Sequence, residues 1–199
     1  MAVPCQRCGR EYDVALFEFG RTISCTCGSR VGIEPRVRTL GHWAKRRFVA
    51  DAMLGRLARW LRLLGFDCAH DPEITDAEIV RLAAAEGRVI LTRDRRLPEE
   101  WWVDDIYLVR ADGTRPQLSE VVAHFDLAAS IRALTRCSEC NRALERVARS
   151  ALSGRVPPLV FERHDTFSEC PDCGRVYWEG THAARVRAVV AGLLAADQT

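Results

Sequence analysis

Residues 48–65 read FVADAMLGRLARWLRLLG, and the change of pattern inside this stretch decides the fold. Phe48, Val49 and Ala50 form a short apolar run, as expected of a strand buried on both faces. The run stops at Asp51. From there Leu54, Leu57, Ala58, Leu61 and Leu64 recur at helical spacing, while Arg56, Arg59 and Arg62 fall on another side. Gly65 ends that helix. A strand, an acid and a helix in direct succession make the first half of a β-α-β unit.

Downstream the alternation continues. Residues 65–70 read as a second short strand. Thr75-Asp76-Ala77-Glu78 opens a helix with a capping box; it carries Ile79, Leu82 and Ala83 inward and ends at Gly87. Val89-Ile90-Leu91 is a third buried strand, closing at Thr92-Arg93-Asp94. Residues 106–109 read as a fourth strand, and 118–125 as a helix running on toward Ala133. This order predicts an α/β fold with a mainly parallel sheet and helices on both faces.

In such sheets functional groups gather beyond the carboxyl ends of the strands. Asp51 and Asp94 each follow a strand, and Asp71 and Asp76 lie between the second strand and its helix. Several carboxylates are therefore expected on one rim. Crowded acids raise one another's pKa unless a divalent cation neutralises them. Oxygen ligands select Mg²⁺ or Mn²⁺, and such an ion can activate water for phosphodiester cleavage. Taken singly, Asp76 suits the positive end of its helix and Asp51 suits a cap. Their neighbourhood argues for more. Residues 36–62 hold eight Lys or Arg (Arg36, Arg38, Lys45, Arg46, Arg47, Arg56, Arg59, Arg62) against the single acid Asp51. A phosphate-rich partner explains that run better than a merely solvated face.

The 199 residues carry nine cysteines, and eight fall into two groups of four. Cys5 and Cys8 are followed by Cys25 and Cys27; Cys137 and Cys140 are followed by Cys170 and Cys173. Cysteines two or three apart let one tight turn present two thiolates to one ion, and two such turns complete a tetrahedral sulfur shell suited to Zn²⁺. Gly9, Gly28, Asn141 and Gly174, one after each pair, tolerate the left-handed backbone such a turn needs. The following Tyr12, Val14, Leu16 and Phe17, and Val176, Tyr177 and Trp178, suit zinc-ribbon hairpins. Disulfides are disfavoured in a reducing cytosol, and a redox CxxC needs no four paired motifs. Cys68, the ninth, reads as a buried structural thiol. Hydrophobic residues make up 48% and charged residues 28%, ordinary for a globular chain. With no long apolar span and no signal-peptide layout at Met1, cytoplasmic residence without membrane contact is expected.

Residues 48–62 with Leu64-Gly65-Phe66-Asp67, and Gly87-Arg88-Val89-Ile90-Leu91-Thr92-Arg93-Asp94-Arg95, resemble the PIN-like RNase family named for the C-terminal domain of the Mut-seven exonuclease. Arg136-Cys137, Cys140-Asn141 and the run from 170 to 182 resemble its C-terminal zinc ribbon. The likeness covers about residues 45–185; the N-terminal cysteine group rests on spacing alone. The resemblance implies a PIN-like (Rossmann-like) nuclease fold with a divalent-metal acidic site acting on RNA. Asp51 then matches the acid after the first strand, Asp76 the acid opening the intervening helix, and Asp94 the acid of the Thr-Arg-Asp signature, with Thr92 orienting it. Asp71 or Asp112 is the candidate for a fourth acid.

The expectation is thus three modules: an N-terminal zinc ribbon (1–42), a PIN-like core (43–134) and a C-terminal zinc ribbon with a terminal helix (135–199). Two structural zinc ions and a catalytic Mg²⁺ or Mn²⁺ follow, with Arg56, Arg59, Arg62 and Arg93 gripping RNA. The ribbons are expected to serve as rigid structural modules that also contact RNA, and a ribosome or RNA-processing partner is a further expectation. A non-catalytic RNA- or ribosome-binding adaptor on a degenerate core is the competing reading, and a PIN-type toxin the weakest. Trp101-Trp102 is expected to cover a core edge rather than stack bases. Thr181 is expected to cap a final helix over 183–196, with His182 packed on the ribbon.

Overall fold

The computed structural model describes residues 2–17, 20–33, 47–103 and 105–196. Its elements are, in chain order, β1 (Ala2–Pro4), β2 (Glu11–Asp13), β3 (Thr22–Ser24), β4 (Arg30–Gly32), β5 (Arg47–Ala50), α1 (Gly55–Leu63), β6 (Cys68–His70), α2 (Asp76–Glu86), β7 (Arg88–Thr92), α3 (Leu97–Glu100), β8 (Ile106–Leu108), α4 (Thr114–His124), β9 (Glu145–Val147), α5 (Pro158–Arg163), β10 (Phe167–Glu169), β11 (Val176–Trp178) and α6 (Thr181–Ala196). The chain gathers into two compact units, Met1–Gly55 with Ala69–Arg110, and Arg56–Cys68 with Ala111–Thr199. No helix among the described residues is long and apolar enough to cross a membrane.

In the first unit the expected parallel sheet is present, four strands in the order β6-β5-β7-β8. Phe48 pairs with Val89 and Ala50 with Leu91, while Leu91 pairs with Tyr107, all in parallel register. Helix α2 forms where Thr75 caps it: the Thr75 amide donates to the Glu78 carboxylate at 2.8 Å, and the Glu78 amide returns the bond to the Thr75 hydroxyl at 3.3 Å. Gly87 closes it in a left-handed conformation at φ 62°. Ile79, Val80 and Ala83 of α2 pack with Val49, Ile90, Leu97, Trp101 and Val103 in one core.

The N-terminal module belongs to the same unit. Two hairpins, β1-β2 and β3-β4, close over Cys5, Phe17, Cys25 and Val31. Its side chains reach the segment after β7: the Thr22 hydroxyl donates to the Glu99 and Glu100 carbonyls at 3.1 and 2.9 Å, and the Trp102 amide donates to the Gly20 carbonyl at 2.7 Å. Trp101 is buried in the core, and Arg30 lies 5.9 Å over the Trp102 ring. The tryptophan pair covers a core edge, as expected.

The second unit holds the three-stranded sheet β11-β10-β9 around Leu152, Val156 and Phe167. Three helix bounds differ from expectation. Helix α4 begins at Thr114, because Pro116 falls in a first turn whose amides need no partner. It stops at His124 instead of reaching Ala133, since Asp126 turns left-handed at φ 50°. Thr181 is the first residue of α6 rather than a cap outside it.

Candidate active site

The rim of the sheet is built by strand ends. Asp51 follows β5, and its amide donates to the Leu91 carbonyl of β7 at 2.9 Å. Thr92, fully buried at the end of β7, donates its hydroxyl to Asp51 Oδ2 at 2.6 Å and accepts from the Asp94 amide at 2.9 Å. Thr92 therefore orients the Asp51 carboxylate directly and ties the Asp94 backbone to it. Asp94 Oδ1 accepts from the Arg96 amide at 2.9 Å, which sets the turn into α3. On the other side of the rim, the His70 Nε2 lies 3.1 Å from the Ala52 carbonyl.

Asp76, the first residue of α2, faces this pair electrostatically. Partial burial pushes its carboxyl above the usual carboxylate range, and the charges of Asp94, Asp51 and Glu100 push it further. A helix N-terminus favours an ionised acid, so the upward direction means that crowding wins over the helix. Glu100, on α3, is the acid that the sequence reading missed. Nothing local marks it, because only the fold of α3 brings it into the field of Asp76. Asp71 spends its side chain on the Glu73 amide at 2.9 Å, and Asp112 lies in the other compact unit.

The acids of this rim offer carboxylate oxygens, the set that suits Mg²⁺ or Mn²⁺. The three acids are not drawn into one tight shell: among the described residues, three or more ligand side chains converge within 4.8 Å only in two cysteine clusters. Mg²⁺ commonly binds through one or two carboxylates and keeps several waters, which an open rim accommodates.

Those clusters are Cys5, Cys8, Cys25 and Cys27, and Cys137, Cys140, Cys170 and Cys173. Each sits on two matching turns. The Cys5 amide donates to the Arg10 carbonyl at 2.8 Å, and the Gly9 amide donates back to the Cys5 carbonyl at 2.8 Å. Cys137 with Arg142 and Asn141, and Cys170 with Arg175 and Gly174, repeat this pattern. Gly9, Gly28, Asn141 and Gly174 have φ of 74°, 81°, 63° and 67°, the left-handed values their turns require. Cys5–Cys27 and Cys8–Cys25 sulfurs stand 3.7 and 3.5 Å apart, and Cys137–Cys173 sulfurs 3.8 Å. Tetrahedral Zn–S bonds of about 2.3 Å place sulfurs about 3.8 Å apart. The donor set and its spacing fit zinc.

Without an ion the thiols cannot ionise together. The Cys27 amide and the Tyr12 hydroxyl bring Cys25 down to about 5, whereas the neighbouring Cys173 and burial push Cys140 up to about 12. A divalent cation removes that conflict.

The expected phosphate-binding arginines divide. Arg56 and Arg93 are exposed. Arg59 is exposed and paired with Glu139 at 2.9 Å. Arg62 is a correction: it is buried, donating to the carbonyls of Cys68, Ser138 and Glu139 at 2.7, 3.1 and 2.6 Å. An arginine turned inward onto three carbonyls is a structural brace, not a surface for RNA. Arg36, Arg38, Lys45 and Arg46 of the basic run lie outside the described residues. His182 is exposed rather than packed on the ribbon, and Cys68 is fully buried as expected.

No curated protein and no solved structure matches the chain. A family model described as the Mut7-C RNAse domain matches residues 46–190, a span that takes in every element from β5 to the first part of α6 and leaves the N-terminal cysteine module outside. The acidic rim, the Thr92-centred turn and the second cysteine cluster all fall within the matched span, and the chain belongs to the Mut7-C RNAse domain family.

Proposed function

We propose that the chain is a metal-dependent ribonuclease that hydrolyses RNA phosphodiester bonds at the rim formed by Asp51, Asp76 and Asp94. The observation that carries this reading is the crowding at Asp76, whose carboxyl is held above its usual range by burial and by Asp94, Asp51 and Glu100. A fold retains mutually repelling carboxylates where a cation compensates them. Family membership supports the same chemistry and makes RNA the expected substrate.

In this reading Asp51, Asp76 and Asp94 hold the ion, with Glu100 as the fourth acid of the rim. When bound, Mg²⁺ or Mn²⁺ supplies Lewis acidity toward the phosphate and its attacking water. In the hydrolysis, the water oxygen bonds to phosphorus, the bond from phosphorus to one ribose oxygen breaks, and that oxygen leaves as a hydroxyl. Thr92 keeps the Asp51 carboxylate aimed at the rim. Arg93, exposed one residue before Asp94, supplies a phosphate contact at the rim, and the exposed Arg56 and Arg59 of the second unit contact RNA. Each four-cysteine cluster takes one structural zinc, as reduced thiols in a cytoplasmic setting allow.

The test is cleavage of a mixed RNA pool by the purified full chain with Mn²⁺. Cleavage should stop with EDTA and return with added Mn²⁺. Asp51→Asn and Asp94→Asn should each lower the rate roughly 100-fold or more, since even removing an outer partner of a metal ligand costs about 10–100-fold. Unchanged rates in both folded variants would overturn the assignment.

A further inference from the structure

The second compact unit contains a cavity of about 590 Å³ that none of the rim acids lines. It lies between α1, the C-terminal cysteine module and the start of α6, and its wall carries Trp60, Tyr177 and Trp178. The size falls within the range of small-molecule sites.

Three features make its contents specific. The aromatic wall is fixed. The Tyr177 hydroxyl accepts from the Ser138 amide at 3.1 Å and donates to the Cys137 sulfur at 3.2 Å. Trp178 packs on the core of Leu152, Val156 and Phe167, and its ring lies so close to Gly180 that an added Cβ would stand 2.8 Å from Nε1. All three rings are only half-buried, so each keeps an open part.

The mouth is basic. Arg59 and Arg175 both meet the Glu139 carboxylate at 2.9 Å; two guanidinium groups on one carboxylate leave a net positive charge, held in fixed positions. Glu179 is neutralised by Arg187. Arg185 is exposed, and no ion pair engages it among the described residues.

Flat rings beside positioned guanidinium groups are what single-stranded nucleic acid requires, a base against an aromatic face and its phosphates on arginine. We propose that this cavity is a nucleotide subsite for single-stranded RNA, receiving one unstacked base against Trp60 and Trp178 while Arg175 and Arg185 meet the flanking phosphates. The proposal rests on the ribonuclease reading only for the choice of RNA as the strand.

The test uses the full zinc-loaded chain carrying Asp94→Asn, without added Mg²⁺ or Mn²⁺, and a fluorescein-labelled ten-nucleotide single-stranded RNA. Arg185→Glu, a surface change, should weaken binding about tenfold or more and flatten its salt dependence. Trp178→Ala should weaken it by a similar factor, while Trp178→Phe, which keeps a ring and the packing, should bind within about threefold of the parent. The indole N–H signals of Trp60 and Trp178 should shift on titration. Unshifted indoles, or parental affinity in both Arg185→Glu and Trp178→Ala, overturn the subsite, as does a cavity filled by peptide in preference to the RNA. The two readings separate cleanly. Binding that depends on these residues, with no cleavage by the unmutated chain, sustains the subsite and overturns the nuclease. Cleavage with binding indifferent to them overturns the subsite alone.

Discussion

At the scale of single residues, the sign of the Asp76 shift gives a pH test of the rim. Its carboxyl is raised in the folded chain, so the folded state holds that proton more tightly than the unfolded state does. The associated stability is present at low pH and is lost as pH rises from the ordinary aspartate value through the raised one. Asp76→Asn removes that penalty. With Mn²⁺ and Mg²⁺ withheld, the variant should melt no lower than the parent at pH 7, and its advantage should shrink toward pH 4; a melting temperature depressed at pH 7 and equal at pH 4 would contradict the crowded rim. Gly55 offers a second test. A Cβ there would stand 2.9 Å from the His70 ring, whose Nε2 lies beside the Ala52 carbonyl next to Asp51. Gly55→Ala should cost about 1–3 kcal/mol in denaturant unfolding, as overpacking does. The residue scale is also where sequence was least informative. Asp51, Asp76 and Asp94 were legible because each ends a strand or opens a helix. Glu100 and the inward turn of Arg62 were not, because both depend on partners many residues away.

At the scale of elements, local chemistry was written plainly. The Thr75–Glu78 capping box, the left-handed Gly87 and the four cysteine turns follow from side chains within a few residues of each other. Helix α4 ends within one residue of the expected Phe125 but opens four residues before Leu118, because its first turn carries no apolar repeat and holds Pro116. The union of the N-terminal module with α3 was not legible, as nothing in the spacing of Cys5 to Cys27 says which surface it meets. That union is testable. Thr22 is buried, donates to the Glu99 and Glu100 carbonyls and accepts from Arg30 Nε at 2.9 Å. Thr22→Val should destabilise the chain by about 1–3 kcal/mol, the usual cost of leaving buried polar groups without a partner, read as a shifted urea midpoint at constant slope.

At the scale of the whole molecule, the α/β architecture was readable because the apolar runs of β5 and β7 and the helical repeats between them have distinct periods. How the chain groups into compact units was not, because that grouping runs across the borders the cysteine pairs suggest. Metal analysis of the purified chain should return two zinc ions per molecule, and Cys8→Ser with Cys173→Ser should return none; a single zinc in the parent would exclude one of the two clusters. Asn141, in a cysteine turn, accepts from the Cys68 amide at 3.1 Å and donates to Asp67 at 2.8 Å, while Arg62 closes on the carbonyls of Ser138 and Glu139. A gene fragment starting after residue 134 would encode the module's four cysteines but not Arg62, Asp67 or Cys68, so the C-terminal module is inheritable only together with residues 56–68, and recombination between them would yield an orphan.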